Sequence, residues 1–328
     1  MGPLTSARTQ SAAIAMLAAG ATAGLLAAAS YANGVNLPPA LIFLDPRRQP
    51  TANEAIYSTM AEYALRSNER NDVLFIGDST CAYGVDPIRF EKLTGLRAYD
   101  CGTLAWMGPG GFSVLLDGYV SHHPAPRVVV LTLSPFVMEA GISVNDPDTT
   151  RHFVDTYAPR AGSVSVESLA FYAKRGAINL LSRASDPRDL PIQGDENKTC
   201  RTLAAMQEAG RGFVQLPGEH GRHVDRVTSQ GPLVRDDWRI GIASIAEMCR
   251  ARGVKLMIQF APIAEAERNA RDWSQLERWA DSLEGVVVAR PLILPYAPEF
   301  MWDGIHLNAR GVERFMPTVA KDVQAALK

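Results

Sequence analysis

The sequence predicts an α/β fold, a three-layer sandwich around a central parallel sheet. Two observations carry this: short apolar runs that end in Gly or Ser-Pro, and segments of helical pattern between them; the 47% hydrophobic content over 328 residues excludes a disordered chain and leaves room for one large domain or two ordinary ones. Strands buried on both faces read as continuous apolar runs rather than alternating ones. Strand and helix in alternation imply parallel pairing with helical crossovers.

Taken in order, the first run spans 72–77 (DVLFIG) and ends at a glycine that feeds a tight turn. Comparable runs follow at 96–101, 127–133 (RVVVLTL), 254–260 (VKLMIQF) and, more weakly, 285–289. Helical patterns fill 85–93, 112–121, 237–252 and 264–283, and another precedes the first strand at 52–69. The stretch 138–235 breaks the alternation: it is polar, interrupted by Pro and Gly, with helical pattern only at 166–182 and 199–209. A long insertion of this kind reads as a lid, a cap or a partner surface.

Residues 9–44 contain no charged side chain, and 11–32 form a small-apolar run. As a helix rising about 1.5 Å per residue, that run just crosses a hydrocarbon core of about 30 Å. It reads as a membrane anchor or as a cleavable signal peptide, with Ser30 and Ala32 ahead of a cleavage point before Asn33; a buried core helix is the third alternative. The chain thus divides into an N-terminal hydrophobic segment (1–36), a linker and first helix (37–70), and an α/β domain (71–328) carrying the 138–235 insertion. Either of the first two readings puts the domain in the cell envelope, as an inner-membrane-anchored periplasmic domain or an exported one. Lys and Arg total 33 against 35 Asp and Glu, which excludes a nucleic-acid binder that works through a broad basic face.

In open parallel sheets ligands bind beyond the carboxyl ends of the strands, so the residues just after each run are the candidates. After the first comes Ser79, after the second Gly102, after the third Ser134-Pro135, and before the final helix Asp303-Gly-Ile-His306. A serine hydroxyl is a weak nucleophile unless a histidine takes its proton and a carboxylate fixes the histidine's tautomer. His306 and Asp303 are placed to do both, and Asn308 reads as a helix start that holds their loop still. Each feature alone has a plainer reading, Ser79 as a helix cap above all. Their coincidence is what points to nucleophilic chemistry.

These residues resemble the SGNH (GDSL-like) hydrolase superfamily, with its flavodoxin-like sheet. The resemblance rests on Val73-Leu-Phe-Ile-Gly-Asp-Ser79, Tyr99-Asp-Cys-Gly102 and Asp303-Gly-Ile-His306-Leu-Asn-Ala-Arg-Gly311, and covers about residues 70–328 apart from much of the insertion. It implies Ser79 as nucleophile, His306 as general base, Asp303 as its orienter, and the N–H groups of Ser79 and Gly102 as oxyanion donors, with no metal and no cofactor. The Gly-x-Ser-x-Gly elbow of α/β-hydrolases is absent. So is the Gly-x-Asn-Asp that the superfamily carries after its third strand: here the chain reads Leu133-Ser134-Pro135, and Asn145-Asp146 comes about ten residues too late. Loss of one oxyanion donor costs roughly 2.7–4 kcal/mol of transition-state stabilisation, so Ser134 or another group compensates or catalysis is slower.

A strand ending in Ser-Pro is similar to the membrane-anchored envelope branch of the superfamily, which includes proteins of alginate O-acetylation and lipoteichoic-acid D-alanylation. The resemblance therefore implies acyl-ester hydrolysis or O-acyl transfer on an acylated small molecule or envelope polysaccharide, with a membrane-bound O-acyltransferase as a candidate partner. A non-catalytic envelope scaffold or glycan-binding subunit of the same fold is the alternative. Cys81 and Cys101 flank the site, and a disulfide between them is expected ahead of two buried thiols or a catalytic cysteine; Cys200 with Cys249 would be a second bridge. Trp106 and Trp302 fit either a wall for stacking a sugar ring or ordinary packing. His122-His123 reads as a surface helix end, and His152, His220 and His223 fall in the insertion.

Overall fold

The computed structural model describes residues 56, 59, 60, 63, 64, 68–139, 205–207, 209–216 and 234–328. The chain divides into two units, Met1–Ser58 with His152–Leu203, and Thr59–Arg151 with Ala204–Lys328. All described residues except Ile56 belong to the second unit, which is a mixed α/β structure with a five-stranded sheet. Its elements run β1 (Val73–Gly77), α1 (Ser79–Gly84), α2 (Pro87–Thr94), β2 (Ala98–Gly102), α3 (Gly108–His122), β3 (Val128–Leu133), α4 (Asp236–Ala251) and β4 (Lys255–Phe260). They continue with β5 (Ile263–Ala264), α5 (Glu265–Asn269), α6 (Ser274–Asp281), β6 (Val287–Val288), β7 (Pro295–Tyr296) and α7 (Ala309–Leu327).

The strands order as β2-β1-β3-β4-β6, all parallel, and β5 pairs with β7 in a separate two-stranded sheet. The chain leaves β1 for β2 on one side and returns to β3 on the other. Between β1 and β3 the connections diverge, which opens a crevice at the carboxyl ends of those two strands. Every residue of β1, β2 and β3 is buried, as continuous apolar runs require.

The pleat sends alternate residues to opposite faces. Val73, Phe75, Ala98, Val128, Val130 and Met257 join one core with Phe90 of α2 and with Val312, Phe315, Met316 and Val319 of α7. Phe75 meets Phe90 edge to face at 5.2 Å between ring centroids. Burying one such ring stabilises the fold by about 1.5–3 kcal/mol. On the other face α3 packs against α4, where Phe112 lies against the fully buried Trp238.

The expected helix over 264–283 is two helices. Asp272 accepts hydrogen bonds from the N–H and hydroxyl of Ser274, at 3.0 Å each, and so starts a second helix where the first would have continued. Part of the insertion, 209–216, lies along β2: Asp100 N–H donates to the Arg211 carbonyl and Val214 N–H to that of Ala82, so the outer edge of the sheet is covered. A Cβ at Gly212 would lie 1.7 Å from the Asp100 carbonyl oxygen, so only glycine permits this approach.

The expected Cys81–Cys101 disulfide does not form; both are free buried thiols, as is Cys249. The pleat explains the first pair. Asp100 and Cys101 are neighbours on β2 and point to opposite faces, and Cys81 contacts Asp100, so the sheet itself separates the two sulfurs. The expected Cys200–Cys249 bridge fails on the free Cys249 thiol, while Cys200 lies outside the described residues. His122 is exposed as expected, but His123 is 5% exposed and not a surface residue. Among the described residues no helix is long and apolar enough to cross a membrane. The charge-free stretch 9–44, the helical pattern at 166–182 and His152, His220 and His223 lie outside the described residues.

Candidate active site

β1 ends at Gly77, where a Cβ would come within 1.8 Å of the Thr132 carbonyl oxygen of β3, so only glycine lets the chain turn here. Asp78 follows as the N-cap of α1: its Oδ1 accepts from the N–H of Thr80 at 2.8 Å and from the Thr80 hydroxyl at 2.6 Å. Its Oδ2 accepts from the N–H of Ser134 at 2.9 Å, which ties the start of α1 to the end of β3. Ser79 is thus held at the β1 side of the crevice.

His306 comes from the loop before α7. Asn308 caps that helix, accepting from Gly311 N–H at 3.0 Å, while its amide donates to the carbonyls of Glu299 and Met301. Trp302 N–H donates to the His306 carbonyl, closing the loop on itself. Within it Asp303 Oδ1 accepts from the N–H groups of Ile305 and His306 at 2.8 and 2.7 Å. Asp303 Oδ2 lies 2.8 Å from His306 Nδ1, and His306 Nε2 lies 2.8 Å from Ser79 Oγ.

A carboxylate accepts only, so Nδ1 carries a hydrogen and Nε2 presents its lone pair to the Ser79 hydroxyl. Burial pushes the Asp303 carboxyl upward, but the bonds from the His306 ring, its charge and the two backbone N–H groups outweigh it and hold the carboxyl below the ordinary range. Hydroxyl, imidazole and carboxylate in this order are the chemical set for nucleophilic acyl transfer. Tyr83 and Trp302 approach the imidazole edge to face, at 5.5 and 6.3 Å between centroids. The Trp106 side chain lies outside the described residues.

The other two candidate residues are placed differently. Gly102 N–H, expected as an oxyanion donor, donates to Asp100 Oδ1 at 2.7 Å, and the N–H of the next residue, Thr103, donates to the Gly77 carbonyl. Ser134 N–H is taken by Asp78, and its hydroxyl oxygen is 3.4 Å from Phe136 N. Of the expected oxyanion donors, Ser79 N–H, at the first position of α1, is the one with no acceptor among the described residues.

Asp78 and Asp100 therefore shape this edge of the sheet; both stand inside the motif blocks of Ser79 and Gly102, which give them no role of their own. Asp100 had a visible signal: a lone carboxylate inside the strand AYDCG. It is fully buried, and burial pushes its carboxyl up to about 7 against the hydrogen bonds from Cys81 and Gly102. Burial also raises Asp78, opposed by Thr80 and Ser134. Cys81 Sγ donates to Asp100 at 3.2 Å, and burial together with that carboxyl drives its thiol well above the ordinary range, so no thiolate is available there.

No family model matches the chain, and no curated protein matches it. Among solved structures, a chain from Streptococcus pneumonia provisionally named a platelet activating factor is 14% identical, with a TM-score of 0.38, over 84% of this chain and 93% of that one. A likeness at that level carries no functional argument.

Proposed function

We propose that this protein is a serine-dependent acyl-ester hydrolase or O-acyltransferase of the SGNH type, acting on acyl groups of a cell-envelope glycan. The observation that carries the reading is the continuous chain Ser79 Oγ, His306 and Asp303, with 2.8 Å at each step. Ser79 Oγ attacks the ester carbonyl carbon as its proton passes to His306 Nε2, and the carbonyl oxygen takes up the electron pair. Collapse breaks the ester C–O bond, and the departing oxygen takes the proton from Nε2. The acyl group then rests on Ser79. Water or a sugar hydroxyl repeats the sequence, giving its proton to Nε2 and the acyl group to itself, and Ser79 Oγ recovers the proton. Asp303 accepts from Nδ1–H throughout and steadies the imidazolium. Ser79 N–H is the oxyanion donor.

The charge-free stretch 9–44 supports a location at the outer face of the inner membrane, attached or released by cleavage. An acylated small molecule or envelope polysaccharide is the substrate in this reading, and a membrane-bound O-acyltransferase the partner that would supply or receive the acyl group. One observation favours a second reading, a non-catalytic scaffold or glycan-binding subunit: Gly102 and Ser134 spend their N–H groups on buried carboxylates. A fluorophosphonate probe separates the two. Labelling of wild type that vanishes in Ser79→Ala is expected for the enzyme; a folded wild type that takes no label leaves the scaffold.

A further inference from the structure

His123, at the end of α3, is a 5% exposed imidazole placed between two tyrosines. Tyr119, one turn earlier on its own helix, stacks on it with ring centroids 4.0 Å apart and planes 12° from parallel, and Tyr63 lies 5.0 Å away. Asn71 fixes both phenols, its amide donating to Tyr63 OH at 2.7 Å and to Tyr119 OH at 3.1 Å. The two ring nitrogens of His123 face backbone carbonyl oxygens: Nδ1 is 3.0 Å from the Glu69 carbonyl and Nε2 3.0 Å from that of Tyr63.

A carbonyl oxygen only accepts. Both nitrogens must therefore carry hydrogen for both contacts to be hydrogen bonds, and only the imidazolium does. A neutral ring keeps one bond and turns a lone pair toward the other oxygen. His122 supplies the contrast within the same helix end: it is exposed and makes one bond, from Nδ1 to the Gly118 carbonyl, which a neutral ring satisfies. A cation is also favoured over the face of the Tyr119 ring.

We propose that His123 is a protonation-dependent latch: as an imidazolium it clasps the carbonyls of Tyr63 and Glu69, fastening the helical turn of Met60, Tyr63 and Ala64 to α3, and it loses one clasp on deprotonation. Other titratable groups face this pocket from each packed element: Tyr63 and Glu69 from the preceding segment, Tyr99, Cys101 and Arg97 on and beside β2, and Tyr119 from α3. Of these Glu69 and Arg97 are the charged pair, and they neutralise each other at 2.8 Å. The latch is thus set by the two carbonyls and the Tyr119 ring rather than by a neighbouring carboxylate. Grip is full while both ring nitrogens carry hydrogen and weakens when the ring gives one up. None of these groups belongs to the Ser79 site, so the latch stands whether or not the proposed chemistry does.

Ring-nitrogen NMR and amide exchange on the full-length wild-type protein test it directly. At about pH 5.5 two protonated nitrogens are expected on His123, and exchange in the turn of Met60, Tyr63 and Ala64 is expected to quicken roughly tenfold at about pH 8, after correction for intrinsic rates. His123→Phe keeps the stack and removes both donors, so exchange there is fast at both pH values. A single protonated nitrogen at pH 5.5, or equal protection at both pH values in wild type, overturns the latch. The nitrogen measurement stands on wild type even where the variant does not fold.

Discussion

The loop carrying Asp303 and His306 and the strand ends carrying Gly102 and Ser134 lie at the same edge of the sheet and spend their backbone N–H groups in opposite ways. In the loop, two N–H groups converge on the Asp303 carboxylate whose other oxygen orients His306. At the strand ends, the N–H groups of Thr80, Gly102 and Ser134 go to Asp78 and Asp100, carboxylates with no hydrogen bond to the Ser79–His306–Asp303 chain. A donor already bonded to a buried carboxylate cannot meet a developing oxyanion without giving up that bond. In the proposed acyl transfer, the proton-transfer half of the site is therefore assembled, while the oxyanion half rests on Ser79 N–H.

The largest expected effects lie on the loop side. His306→Ala should lower kcat/KM on a small acetyl ester by about 10⁵–10⁶-fold, because serine and base act as a unit. Retention of more than a tenth of the activity would break the assembled-half reading. Asp303→Asn keeps the shape but disturbs the tautomer at Nδ1, and a loss of about 10⁴-fold is expected in the same assay. Ser134→Ala is the sharper probe of the other half. With its N–H still on Asp78, activity should stay within about threefold; a fall of 10²–10³-fold would instead make its hydroxyl the missing oxyanion donor.

Smaller effects separate the two kinds of carboxylate by pH. A carboxyl at about 7 in the fold and 3.8 in the unfolded chain, as at Asp100, costs stability as pH rises between those values, because the unfolded chain releases its proton first. The cost totals roughly 4 kcal/mol above pH 7. Asp100→Asn keeps an acceptor for Gly102 and Cys81, and its Tm should fall less than that of wild type between pH 4 and 7; parallel Tm curves would count against a burial-raised carboxyl. Asp303 works with the opposite sign. Its depressed carboxyl adds stability that is present above the ordinary carboxylate range and is lost as pH falls through its folded value. The smallest effect is a null one: reductant should leave Tm unchanged, and alkylation of the denatured, unreduced protein should label Cys81, Cys101 and Cys249.

Much of this was legible beforehand where a local rule governs. Continuous apolar runs marked β1 to β4 to within a residue or two, since strands buried on both faces tolerate few polar positions. The Asp303-x-x-His306 loop and the Asn308 cap were legible for the same reason, because their bonds span only a few residues. The break at Asp272 was visible as an Asp-x-Ser turn and was overridden by helical periodicity on either side.

The order of the strands, the free state of Cys81, Cys101 and Cys249 and the fate of the Gly102 and Ser134 N–H groups were not legible, because each depends on atoms far apart in the chain. Ser79 and His306 stand 227 residues apart, and nothing local dictates 2.8 Å between them. By itself the sequence determined where β1 to β4 form, which residue types reach the carboxyl edge of the sheet, and that a serine, a histidine and an aspartate are among them. The tertiary structure alone decided that Cys81 and Cys101 face opposite sides of one sheet, that Asp78 and Asp100 capture the strand-end donors, and that both nitrogens of His123 meet carbonyl oxygens. Periodicity and capping act through neighbours in sequence, whereas burial, pleat and the satisfaction of polar groups are settled only when the layers close.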